Sequence, residues 1–161
     1  MKKVILRDVT MENLLDVICL KSEDKEFTLF EKWVASNVFS LAHAKVQPDW
    51  VTKAIYDGIQ LIGFTMFGLE NERDRFELCR IMIDYKYQGK GYGTAATKEI
   101  ISEMIRTLPY CDEIYLSVIP TNTAAIHIYT KAGFIKTGEI IKGFIDEDVY
   151  CYNFKQPTSA D

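Results

Sequence analysis

The chain has no apolar run near the roughly 18 residues that cross a bilayer, no closely spaced pair of cysteines, only two histidines and no excess of basic charge. Each absence closes a class of function. Without the long run, no membrane span and no membrane partner is expected. The opening MKKVILRDVT places two lysines before an apolar stretch of only three residues. That is too short for the core of a secretory signal, so a cytoplasmic setting is expected. Cys19, Cys79, Cys111 and Cys151 are scattered, and only His43 and His127 stand beside them. They offer no zinc-ligand spacing, so no metal is expected, and they read as reduced thiols in or near a core. The histidines read as structural or surface residues. The net charge of −4 lacks the basic face that duplex binding needs, so nucleic acid is not an expected partner. A mild acidic excess tolerates a cationic substrate, but solubility alone also produces it.

What is present fits one domain of α/β class. A chain of 161 residues, 48% apolar and 26% charged, can bury one core. We expect that domain over residues 1–156, with 157–161 as a frayed tail. Residues 4–9 read as a strand. Thr10 then caps a helix over 11–20 with Leu14, Leu15 and Ile18 on its apolar face. A second helix carries Phe30, Trp33, Val34, Asn37, Val38 and Leu41 at spacings of three and four, and Pro48 ends it. Strands over 51–56 and 60–68 flank a hairpin turn at Asp57-Gly58-Ile59. A charged loop, LENERDR, covers 69–75, and 76–84 reads as a buried strand. A glycine-rich turn at 88–93 opens a helix to about residue 107. Residues 112–119 alternate as a strand, with Ile114, Leu116 and Val118 on one side. A short helix over 122–132 stops at Gly133, and 134–141 with 148–154 close the chain as a hairpin. The order β, α, α, β, β, β, α, β, α, β, β predicts a mixed, mostly antiparallel sheet with helices on both faces.

The chemistry concentrates in RIMIDYKYQGKGYGTAA, residues 80–96. A strand runs into Gln88-Gly89-Lys90-Gly91-Tyr92-Gly93, which opens a helix. Glycines let the backbone approach a ligand closely and adopt positive φ. The first helical turn leaves N–H groups unpaired at the positive end of the helix dipole. Together these make a cradle for phosphate or pyrophosphate. The P-loop pattern G-x-x-x-x-G-K-S/T is absent, and the alternating glycines do not fit G-x-G-x-x-G. A glycine-rich turn with no ligand remains the bland alternative.

Gln88 to Gly93 matches Q/R-x-x-G-x-G/A, the signature of the GNAT superfamily of N-acetyltransferases, and the chain resembles that family along almost its whole length. IMID before the loop is similar to the family's fourth strand. VIPTNTAAIHIYTKAGF, 118–134, is similar to its later motif of Asn, Tyr and Gly-Phe. WVASNVFSLAHA at 33–44, Pro48-Asp49-Trp50 and FTMFGL at 64–69 resemble the bacterial spermine/spermidine acetyltransferases. The resemblance implies acetyl-CoA as co-substrate and a small amine as partner. A polyamine is the favoured acceptor; another small amine, an aminoglycoside or a peptide N-terminus are the alternatives. A CoA-binding regulatory module without catalysis is the reading from a different class. The family often dimerises, which implies a homodimer.

The resemblance also implies roles. Gln88, Gly89, Lys90, Gly91, Tyr92, Gly93 and Thr94 would hold the pyrophosphate. Met82 or Ile83 would present a backbone N–H to the oxyanion, with a bulge in strand 80–84 freeing main-chain groups. Tyr129 would be the general acid, although Ile126, Tyr129 and Ala132 also share a helix face, as a core tyrosine would. Asn122 would contact the CoA arm, or simply cap its helix. Ala125 and Lys131 would border the cofactor, unless Lys131 is a plain solvated lysine. Some polyamine acetyltransferases carry a glutamate base on the strand before the loop. Here Cys79 takes that place, and Glu77, one step away on the same face, is the nearest candidate. Acceptor recognition would fall to carboxylates among Glu23, Asp24, Glu26 and Glu31, with Glu31 foremost, or Glu70, Glu72 and Asp74. A solvated acidic face is the competing reading of both groups.

Overall fold

Alternating apolar side chains build one sheet, and its single parallel pairing creates the site. The computed structural model describes residues 2–23 and 36–154. In chain order they form β1 (Ile5–Asp8), α1 (Leu14–Cys19), α2 (Asn37–Val46), β2 (Trp50–Asp57), β3 (Gln60–Glu70), β4 (Arg75–Ile83), a 3-10 turn (Tyr85–Tyr87), α3 (Tyr92–Thr107), β5 (Glu113–Val118), α4 (Thr123–Ala132), β6 (Ile135–Ile141) and β7 (Glu147–Asn153). The spatial order is β1-β2-β3-β4-β5-β7-β6. Only β4 and β5 pair in parallel; the other neighbours are antiparallel. The expected element order and mixed sheet are the observed ones, with β7 inserted between β5 and β6.

The sheet separates two apolar clusters. One packs Ile55, Phe67, Leu78, Ile114, Leu116 and Val118 with Ala96, Ile100 and Met104 of α3, and Ile126 and Tyr129 of α4 lie against it. The other joins Val17 of α1 to Trp50, Ala54, Phe64 and Met66, with Leu41 and Ala44 of α2 and Cys79 against it. Side chains alternate along a strand. With Ile114, Leu116 and Val118 on the α3/α4 side, Tyr115 and Ser117 therefore face the other way.

Two irregularities matter for function. Met66 lies opposite Arg80 but Phe67 opposite Leu78, so Cys79 is an extra residue in β4, a bulge that bends its strand. The parallel pair registers at Glu77 and Tyr115, beyond which β4 and β5 part. The bulge thus lies at Cys79, just before the expected stretch 80–84.

Three boundaries move. Thr10 starts a turn instead of a helix: its hydroxyl accepts from Glu12 N at 3.3 Å, its carbonyl accepts from Leu14 N at 2.9 Å, and α1 begins at Leu14. Val17 is the buried residue of α1, while Leu15 is 71% exposed. In α2 the buried positions are Asn37 and Ser40, and Val38 faces out; Phe30, Trp33 and Val34 lie outside the described residues. The charged loop shrinks to 71–74, because β3 and β4 pair as far as Glu70 and Arg75. The tail from residue 155 also lies outside the described residues.

Candidate active site

Where β4 ends, Asp84 and Gln88 lock the chain into position. Asp84 Oδ2 accepts from Lys21 N at 3.1 Å and Oδ1 from Lys86 N at 3.1 Å. Gln88 Nε2 donates to the carbonyls of Ile83, at 2.9 Å, and Ser22, at 2.8 Å. The first residue of the signature therefore acts as a clamp between β4 and segment 21–23.

The loop then turns into α3. Gly89 and Gly91 have φ of 70° and 85°, values that cost a residue with a side chain about 1–2 kcal/mol. Among the described residues a Cβ at either would meet nothing within 4 Å. Gly93 serves another purpose: a Cβ there would come within 2.7 Å of Ile128 Cδ1, so glycine lets α3 and α4 approach. The first helical backbone bond runs from Ala95 N to Gly91 O. Among the described residues, the N–H groups of 89–94 have no acceptor. Six bare donors at the head of a sixteen-residue helix suit a diphosphate. The Tyr92 side chain turns inward, its hydroxyl donating to Asp57 Oδ2 and accepting from Lys2 Nζ at 3.1 Å. Only its backbone N–H is left for a ligand.

The register of β3 and β4 identifies which main-chain groups line the gap. Asp84 N donates to Ile62 O, which makes that a hydrogen-bonded pair. Such pairs alternate along an antiparallel ladder, so Met82, opposite Phe64, directs its N–H and C=O into β3. Ile81 and Ile83 direct theirs to the free edge. Of the two oxyanion candidates, Ile83 has its N–H free. Met82 borders the cleft, and its Sδ lies 4.0 Å from Asn37 Nδ2 of α2. Ile81, which the sequence did not single out, is the second main-chain group on that edge; its signal, the register set by the bulge, is not readable from residue types.

These groups converge on a cleft of about 520 Å3, lined by segment 22–23, Ile81, Met82, Ile83, Gln88, Gly89, Gly93, Thr97, Asn122, Ala125, Ile128 and Tyr129. Asn122 Oδ1 accepts from Ala125 N at 3.2 Å, so it caps α4 and also faces the cleft. The Tyr129 ring lies 6.0 Å from that of Phe134, and burial pushes its hydroxyl up to about 12. Among the described residues that hydroxyl has no hydrogen-bond partner. Tyr129 thus satisfies both of its readings: it packs against the core and borders the cleft. Thr97, whose hydroxyl donates to Gly93 O at 2.9 Å, Ala124 and Ile128 were missed; Thr97 lies one helical turn after Gly93, and Ala124 and Ile128 stand beside Ala125 and Tyr129.

Other expected residues stand outside the lining. Lys90 Nζ donates to Lys86 O at 2.8 Å. Gly91, Thr94 and Lys131 do not border the cleft. Glu77 lies at the strand contact, where Oε1 accepts from Arg75 Nε at 2.9 Å; Arg75 also binds Glu139 at 2.8 Å. Burial raises the Glu77 carboxyl and Arg75 opposes the rise. Glu23 borders the cleft, whereas Asp24, Glu26 and Glu31 lie outside the described residues. Glu70 caps its own loop, accepting from the N–H groups of Glu72 and Arg73.

The Acetyltransferase (GNAT) family model matches residues 12–134, a span that runs through the bulged strand, the bare-amide loop and Tyr129. The chain belongs to the GNAT acetyltransferase family. It is 31% identical over 141 residues, 84% of this chain and 90% of the other, to a spermine/spermidine N(1)-acetyltransferase of Bacillus subtilis. Its fold is that of a crystal structure of spermidine N-acetyltransferase from Vibrio cholerae in complex with CoA and spermine: TM-score 0.67, 20% identity, 94% of each chain. A chimera built on the Vibrio enzyme matches with TM-score 0.72 at 21% identity over 94% of this chain and 96% of the other.

As an acetyl-CoA-dependent N-acetyltransferase, the chain has the groups its co-substrate needs. The bare amides of 89–94 and the space that the described residues leave over Gly89 and Gly91 fit the diphosphate, and the free edge at Ile81 and Ile83 fits an extended amide-bearing arm. No group of three or more His, Cys, Asp or Glu among the described residues could hold a metal ion. Among the described residues no helix is long and apolar enough to cross a membrane.

Proposed function

We propose that this acetyltransferase transfers the acetyl group of acetyl-CoA directly to a primary amine of a polyamine, spermine or spermidine. The observation that carries the reading is the parting of β4 and β5 after Glu77–Tyr115, beside a cleft bordered by Gly89, Gly93 and Tyr129. The acceptor class is supported by the B. subtilis relative, which matches over most of both chains. Acetyl-CoA supplies a thioester carbonyl. The Ile83 N–H, a fixed donor at a free strand edge, stabilises the negative charge that forms on that oxygen. Tyr129 holds a proton through neutral pH and gives it to the departing sulfur. Asn122 and Ala125 border the cofactor arm. Thr94, Lys90 and Lys131 act at the rim, through backbone N–H or long-range charge. Glu31 remains the proposed carboxylate for the far end of the amine. Glu77, held by Arg75, contributes negative potential to the acceptor face.

A panel of amines tests the acceptor. With acetyl-CoA and a thiol-detecting reagent, spermine and spermidine should give kcat/KM well above aminoglycosides and peptide N-termini. Turnover confined to one of the latter would replace the polyamine reading. Cofactor binding without thiol release on any amine would favour a regulatory module. A homodimer and a cytoplasmic setting belong to the same reading, and light scattering of the purified protein tests the first.

A further inference from the structure

The face of the gap opposite α3 and α4 carries a carboxylate, Glu147, that forms no ion pair among the described residues. Ser117 on β5 stands two residues beyond Tyr115, the last register with β4, and points away from the α3/α4 core. On β7, Tyr150 and Tyr152 pack into that core, so Glu147, Val149 and Cys151 point with Ser117. The Ser117 hydroxyl donates to Glu147 Oε2. Its charged surroundings are otherwise mutually engaged. Glu77 and Glu139 share Arg75, Tyr115 donates to Glu113, Lys136 binds Asp148 and Lys142 binds Asp146, while Arg80, which donates to the carbonyl and Sγ of Cys79 at 3.1 Å, is a nearby cation whose effect on Cys79 opposes that of Glu147. Among the described residues Glu147 is in no ion pair.

The cofactor cleft lies where the chain leaves β4 for α3, so an amine must reach the gap from the side that the cofactor leaves free. The geometry points to Glu147, held by Ser117, as the carboxylate that receives the protonated amine and takes its first proton, a role that rests on the amine-acetylation reading above. The charge of Glu147 already reaches the bulge: Cys79, pushed up chiefly by burial, is raised further by Glu77, Glu147 and Glu70 against the opposing Arg80. The proton passes from the ammonium nitrogen to the Glu147 carboxylate and on to solvent. The freed lone pair forms the C–N bond and pushes the carbonyl electrons onto oxygen; as the carbonyl re-forms, the C–S bond breaks and the Tyr129 proton goes to sulfur. The nitrogen's second proton leaves through solvent, which returns one to Tyr129. The bulge residue itself, Cys79, is uncharged, which leaves this task to a carboxylate from β7, two strands over in the sheet.

The test compares Glu147→Gln, Glu147→Asp and the control Glu139→Gln, which removes a nearby charge of the same sign. With spermidine at pH 7, Glu147→Gln should lose at least about tenfold in kcat/KM, in the range of a lost proton acceptor. The loss should shrink toward pH 10, where roughly a quarter of the amine, with a pKa near 10.4, is already neutral by itself. Glu147→Asp should recover part of the rate, Glu139→Gln should match wild type, and calorimetric acetyl-CoA affinity should be unchanged in all three. A loss in Glu147→Gln that is the same at every pH, or that comes with lost cofactor affinity, means a structural role and overturns the inference. An active wild type with an unaltered Glu147→Gln profile overturns it alone. A wild type that acetylates no amine overturns the function reading and this inference with it.

Discussion

Replacing Tyr129 by phenylalanine removes one oxygen from a site where nothing else changes. The ring keeps its contact with Phe134, and among the described residues no group loses a hydrogen-bond partner. The hydroxyl borders the cleft and has no protein partner to lose among the described residues, so the variant should fold about as stably as wild type. Loss of a positioned proton donor costs about 10²–10⁴ in rate, or roughly 3–5 kcal/mol at 1.36 kcal/mol per tenfold. Burial puts this phenol at about 12, some 3.5 units above a thiol of ordinary pKa near 8.5. The transfer is therefore efficient only because the same burial makes the departing thiolate more basic. That places the expected loss at the lower end of the range, about 100-fold in kcat. The assay is thiol release at saturating acetyl-CoA and spermidine, with calorimetry for the cofactor, whose affinity should hold within about twofold. A kcat within about threefold of wild type would remove Tyr129 from the acid role. A parallel loss of cofactor affinity would make it a wall of the cleft instead.

Gly91→Ala adds a methyl where no described residue stands within 4 Å but φ is 85°. The strain of about 1–2 kcal/mol should lower Tm by a few degrees, and acetyl-CoA affinity should fall about tenfold because the loop amides tilt; unchanged affinity would separate the loop from the diphosphate. Burial pushes Cys79 and Cys111 up to about 11 and Tyr129 to about 12, so the native state keeps protons that the unfolded chain releases from pH 8.5 upward. Stability should be flat from pH 6 to 8 and fall as pH rises through 9 to 11; a Tm that rises over that window contradicts the assignment. A chromogenic disulfide should find exposed Cys19 at once, and prompt reaction of Cys79 or Cys111 would mean that the core around them opens.

The elements that a residue pattern can specify were legible. Ile114, Leu116 and Val118 alternate, and β5 forms there with those three inward. Gly133 follows the last apolar turn of α4, and it caps the helix at φ 107°. The cradle was legible because bare amides at a helix start are a property of the backbone, and the glycines announce them. What stayed hidden depends on contacts between distant strands. Leu15 looked like a core residue, yet α1 begins three residues late, because Thr10 satisfies its backbone in a turn, and Val17 takes the buried place. The choice of Ile83 over Met82, and the addition of Ile81, at the free edge follow from a register fixed by an extra residue at Cys79, and no property of residues 79–83 taken alone reveals them. Arg75, which binds Glu77 on its own strand, also binds Glu139 and so joins β4 to β6, strands that only the folded order brings within reach.

The account depends on the N–H groups of 89–94 meeting the diphosphate of the co-substrate. Amide resonances in a labelled sample, followed as acetyl-CoA is added, read those groups one by one. The account predicts saturable shifts at 89–94 and at Ile81 and Ile83, with Met82, tied into β3, moving least. Saturable binding that leaves 89–94 unmoved, or no binding at millimolar acetyl-CoA, would contradict it.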